Sequence, residues 1–134
     1  MAESSRAVRT ARAGVGSIAH EVRVGPHVLL SDAAKVSGGE DLGPDPHELL
    51  DAALASCTAL TLMLYARRKG WGLEGVEAEV SHHEAEGVYR MRRDIRLVGA
   101  LALAERERLL EIANKCPVHR TLSGKFEITS ALID

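Results

Sequence analysis

Apolar and polar positions along this chain follow different periods in different stretches, and the changes of period mark its elements. Ile18, Val22 and Val24 alternate with Glu21 and Arg23, the period-two pattern of a half-buried strand. Gly25-Pro26 punctuates the pattern, and Val28-Leu29-Leu30 resumes it, which predicts a hairpin. Between Leu49 and Ala66 the alternation vanishes. That run is apolar almost throughout, interrupted only by Asp51, Ser56, Thr58 and Thr61 around Cys57. Its flanks carry helix signals. Asp45 is placed as an N-cap, Pro46 as the first helical residue, and Glu48 completes a capping box. Arg67, Arg68 and Lys69 meet the negative pole of the helix, and Gly70 can end it. A helix without a polar face must be surrounded.

Period two returns afterwards. Val76, Ala78 and Val80 alternate with Glu77, Glu79 and Ser81, and Glu84 to Gly87 turns the chain. Tyr89, Met91, Ile95 and Leu97 then share a face opposite Arg90, Arg92, Asp94 and Arg96, so a second hairpin is expected. Arg93 falls on the apolar face of that register. A bulge or an edge position accounts for it most economically, although an inward arginine beside a site would matter. Ala104 to Lys115 reads as an amphipathic helix whose stripe of Leu109, Ile112, Ala113 and Cys116 is stopped by Pro117. Val118 to Ser123 is a short helical turn or loop. Phe126, Ile128 and Leu132 alternate with Lys125, Glu127 and Thr129 as a closing strand. The expected order is β-β-α-β-β-α-β, an α+β fold with a long buried central helix.

Length and charge narrow the function classes. A chain of 134 residues suits one domain with a real core, here expected over 15–134 behind a flexible leader over 1–14. A formal charge of −2 gives no reason to expect nucleic acid or an anionic membrane, and four aromatic residues leave little for stacking on bases. The N-terminal stretch lacks the apolar core of a signal peptide, so a cytoplasmic location is expected. The central run reaches the lower length limit of a membrane span, but Asp51 and the hydroxyl residues within it argue for a helix enclosed by protein.

The candidate chemistry lies in two cysteines. Cys57 and Cys116 stand too far apart for a CxxC motif and offer no four-ligand zinc pattern. Two inert buried thiols, a structural disulfide and a reactive pair all remain open, with the compartment disfavouring the disulfide. Pro117 following Cys116, with Lys115, His119 and Arg120 nearby, surrounds that sulfur with amide dipoles and cations that favour a thiolate. Ala53, Leu54, Leu60 and Thr61 share a face with Cys57 and give it no such help. Glu48 stands about 180° round the helix and about 13 Å along it from Cys57, so its capping role accounts for it, and any part in the chemistry would be played across a dimer interface. His82 and His83 face opposite ways on a strand, and Cys116-x-x-His119 with His82 makes a poor metal set.

The stretches GPDPHELLDAALASCTALTLMLYARRKGW and NKCPVHRTL resemble the OsmC/Ohr superfamily, nearest to its OsmC-like branch, over about residues 25–133. The resemblance implies an intertwined homodimer whose cysteine-bearing helices lie between sheets from both chains. It also implies thiol-dependent reduction of organic hydroperoxides, with Cys57 peroxidatic, Cys116 resolving, an external dithiol as reductant, and neither metal nor organic cofactor. In the family's peroxidases a glutamate ten residues before the first cysteine pairs with an N-terminal arginine. Here that position is His47, Glu48 stands one residue later, and Arg23 is the nearest arginine, so these three are the supporting candidates. The alternative on the same fold is a non-catalytic protein that binds a small ligand or senses electrophiles.

Overall fold

The computed structural model describes residues 5–133. Its contacts group the chain into two compact units, up to Leu50 and from Asp51 onward, where the sequence suggests a single domain over 15–134.

The first unit is built on a three-stranded antiparallel sheet, β1 (Val8–Arg12), β2 (His20–Val24) and β3 (His27–Ser31), in that spatial order. The β2–β3 hairpin is the one the alternation predicts, and Gly25 takes the positive φ of 57° that its turn requires. Strand β1 corrects the expectation of a leader over 1–14. Residues 8–12 pair with β2 along their whole length, while all five side chains remain exposed. Backbone pairing forms this strand, and its apolar content therefore gives no warning of it. Residues 1–4 of the expected leader lie outside the described residues. Beyond β3, Asp32 accepts N–H bonds from Ala33, Glu40 and Leu42 and so closes the loop that leads to the central helix.

That helix, α1 (Pro46–Lys69), forms between the expected signals. The capping box is present: Glu48 N–H donates to Asp45 Oδ1 at 2.8 Å, and Asp45 N–H donates to Glu48 Oε1 at 2.9 Å. In the second unit α1 is joined by the antiparallel pair β4 (Gly72–Ala85) and β5 (Val88–Ala100) and by α2 (Leu103–Ala113) and α3 (Pro117–Leu122). Glu86 and Gly87, both at positive φ, make the two-residue turn between β4 and β5 that matches strand twist. Leu62 and Ala66 of α1 pack with Leu109 and Ala113 of α2 as the fully buried core, bordered by Trp71, Val76, Ile95 and Leu97.

The chain is an α+β fold with a long central helix, and two details differ from expectation. The closing strand over 125–133 does not form among the described residues. Phe126, Ile128 and Leu132 alternate as a strand would, yet they pair with no strand among the described residues, and Ile128 is 85% and Leu132 99% exposed. Within one chain, moreover, α1 is buried along a single stripe of Asp51, Leu54, Thr58, Leu62 and Ala66. Its length and apolarity would suffice for a membrane span, yet Leu60 (62% exposed) and Leu64 form an uncovered apolar face beside a stripe sealed in the protein core.

Candidate active site

Both thiols converge on the first turn of α3, and the local sequence explains why. Cys116 is the N-cap of that helix and Pro117 its first residue. Proline has no N–H, so the first free amides of the helix are those of Val118 and His119, which have no partner within the helix. Each is given to a sulfur. His119 N–H donates to Cys116 Sγ at 3.4 Å, and Val118 N–H donates to Cys57 Sγ at 3.5 Å. Consecutive amides thus bind two cysteines that lie on different helices. Cys57 is half-buried, and its sulfur lies 3.7 Å from Thr61 Oγ1 one turn further along α1. Cys116 is fully buried, and both cysteines are free thiols.

Of the bulge or edge position expected for Arg93, the bulge is absent, while β5 is an edge strand of a two-stranded sheet. The β4–β5 register runs unbroken through Val80 opposite Arg93, and the only shift lies at Leu73/Gly75. Arg93 therefore keeps the inward face its spacing gives it. Its guanidinium reaches Thr58 Oγ1 at 3.0 Å, Asn114 Oδ1 at 3.1 Å and His119 Nδ1 at 3.0 Å, and stands 4.0 Å from Cys116 Sγ. One cation thereby ties β5 to α1, to the turn after α2, and to α3. Thr58, fully buried, donates its own O–H to Leu54 O at 2.7 Å. Guanidinium has no acceptor, so His119 Nδ1 must receive the bond, and a neutral ring then carries its proton on Nε2. Burial, with the charge of Arg93 added, holds His119 below its ordinary value and keeps the ring neutral.

A second polar cluster borders this one. Asp51, which the sequence shows only as an interruption of an apolar run, is buried and accepts from His82 Nδ1 at 2.5 Å and from Tyr89 Oη at 2.9 Å. The rings of His82 and Tyr89 stack with centroids 4.7 Å apart. No group of three potential metal-ligating side chains gathers among the described residues.

The supporting candidates belong to the other unit. Glu48 is engaged in the capping box, Arg23 binds Glu21 at 2.6 Å, and His47 is exposed at the start of α1. The structure thus brings Cys57 and Cys116 to one turn of helix and adds Arg93, His119 and Thr58 around them. Arg93 was visible in the sequence as a charge out of phase. Its partners were not, because they come from three other segments.

A family model described as OsmC-like protein matches residues 38–131. No curated protein sequence matches the chain. Among solved structures, the chain is similar to an osmotic stress induced and detoxification response protein from Psychrobacter arcticus, at 20% identity over 89% of each chain with a TM-score of 0.76. It is similar also to an OsmC like protein from Mycoplasma pneumoniae, at 17% identity over 92% of this chain and 90% of that one, TM-score 0.75. The organic hydroperoxide resistance protein OhrB of Bacillus subtilis matches at 19% identity, over 88% of this chain and 91% of its own, with a TM-score of 0.59. At such identities these structures speak for the fold.

Proposed function

The chain belongs to the OsmC-like family, and from that premise we propose that it reduces organic hydroperoxides in oxidative-stress defence, using Cys57 and Cys116 as a redox pair. The observation that carries the reading is the pair of consecutive amides, Val118 and His119, aimed at the two sulfurs. The adjacency of these amides on one turn puts the two sulfurs within the same small region. The unequal burial supports the order of events, since a reagent meets the half-buried Cys57 before the sealed Cys116.

In this mechanism the Cys57 thiolate attacks the distal peroxide oxygen. The O–O bond breaks, the alkoxide leaves and takes a proton as an alcohol, and Cys57 becomes a sulfenic acid. The Cys116 thiol then displaces hydroxide, released as water, to form the disulfide. An external dithiol reduces that bond and is itself oxidised to a disulfide. Apolar side chains near Cys57 favour an alkyl or acyl peroxide over hydrogen peroxide.

The working form in this reading is a cytoplasmic homodimer. Support comes from the uncovered face of α1 at Leu60 and Leu64 and from the exposed apolar positions Phe126, Ile128 and Leu132, which a second copy would cover. The chemistry is tested by mass spectrometry after one equivalent of cumene hydroperoxide. A Cys57–Cys116 disulfide in the wild type, and no peroxide consumption by Cys57→Ser, are expected. Two unmodified thiols in the wild type would instead mark a binding or sensing protein.

A further inference from the structure

Arg93 is a half-buried cation with no carboxylate partner among the described residues: its guanidinium touches a hydroxyl, an amide, an imidazole and the sulfur of Cys116. Folded proteins seldom leave an inward guanidinium in that condition, because burial without an opposite charge is costly. Its remaining donor is also informative. Thr58, Asn114 and His119 engage both terminal nitrogens, whereas Nε–H meets no acceptor among the described residues. No buried side-chain nitrogen or oxygen of the described residues lacks a partner. The Nε–H of Arg93 is therefore reachable from outside.

Arg93 also lines a cavity of about 230 Å³. Its polar lining is Arg93, His119, Tyr89 and Ser123, and its apolar lining Leu54, Met91 and Leu122. Neither cysteine lines it. Polarity and size both constrain the occupant. One positive charge calls for one negative charge, and the planar guanidinium matches a planar carboxylate. His119, neutral and protonated on Nε2, adds a second donor to the lining. The apolar lining asks for a short hydrocarbon chain, and the volume falls below the range of drug-sized ligand pockets.

We infer that this cavity is a binding site for a small monocarboxylate, its anionic head held at Arg93 and its alkyl tail against Leu54, Met91 and Leu122. The site stands independently of the peroxide chemistry, because binding at Arg93 requires neither sulfur to react.

Isothermal titration of the reduced wild-type protein with sodium hexanoate and, separately, with hexanamide tests it at constant ionic strength. The acid and amide share a shape and differ in charge. Hexanoate should bind at least about tenfold more tightly, the usual worth of a hydrogen bond to a charged group. Arg93→Met should erase that preference, Arg93→Lys should keep part of it, and Arg96→Met, at an exposed arginine paired with Glu77, should leave it unchanged. Leu122→Trp retains Arg93 but fills the cavity, and should abolish hexanoate binding while circular dichroism stays native. This second variant decides the matter even if Arg93→Met fails to fold. Equal affinity for acid and amide would overturn the site, as would hexanoate binding that survives Leu122→Trp.

Discussion

The two cysteines share one turn of helix and little else. Cys116 is sealed, bound by the His119 amide and faced by Arg93, whose other bonds tie down three neighbouring segments. Cys57 is half-buried, bound by the Val118 amide and a nearby hydroxyl, on a helix that leaves Leu60 and Leu64 exposed. Rigidity and polarity gather around the one, and access around the other. A two-thiol cycle needs that division: one sulfur must meet the substrate, while the other must wait in a fixed place for the product of that meeting.

The largest expected effect tests the division directly. Cys57→Ser should abolish peroxide consumption, whereas Cys116→Ser should still consume one equivalent and then stop at a sulfenic acid on Cys57. Dimedone labelling followed by peptide mapping reads both outcomes. If Cys116→Ser were inert and Cys57→Ser reactive, the roles would be exchanged.

Next in size is a contrast in stability between the hydroxyls beside the two sites. Thr58 is fully buried, receives the Arg93 guanidinium and donates to Leu54 O. Thr58→Val keeps the shape but leaves a charged donor without its acceptor, so a loss of about 1–3 kcal/mol is expected in urea unfolding. Thr61→Val, beside Cys57 at 3.7 Å, should stay within about 0.5 kcal/mol. Equal losses at the two positions would mean that the Cys57 side is as tightly built as the other.

The sequence shows the framework of this arrangement and hides its polar interior, for physical reasons. Helix caps and tight turns are local, so the Asp45–Glu48 box and the Glu86-Gly87 turn are readable from a few residues. The cysteines are readable as motifs. Arg93 and Asp51 are a different case, because a buried charge is explained only by its partners. Those of Arg93 lie on three other segments, and those of Asp51, His82 and Tyr89, lie on β4 and β5. From sequence alone a bulge or an edge position costs less than an unpartnered inward arginine, and the sequence therefore favours those two readings. Strand β1 escaped for the opposite reason, since its exposed side chains carry no signature of the pairing that its backbone makes. The stretch expected as a closing strand has the correct alternation but pairs with no strand among the described residues, so period two specifies a face and leaves the pairing to topology.

The smallest expected effect separates the Arg93 cluster from the N-terminal unit by their acid behaviour. Burial and the Arg93 charge hold His119 below its ordinary value of 6.5, so the unfolded chain binds this proton more readily than the folded one. Stability linked to His119 is then fully present above about pH 6.5 and is lost as the pH falls from there toward the lower folded value. Asp32 has a lower window. Burial opposes its charge, but the N–H groups of Leu42, Ala33 and Glu40, with Arg12 nearby, outweigh that and hold the carboxyl below its ordinary value of 3.8. Its contribution stays intact until the pH falls below about 3.8. Melting temperatures followed downward from pH 8 should therefore begin to decline in the upper window, and His119→Gln should flatten that part alone. Asp32→Asn should flatten only the lower window. A decline near pH 6 that persists in His119→Gln would assign the upper window to another group and detach it from the cluster around Cys116.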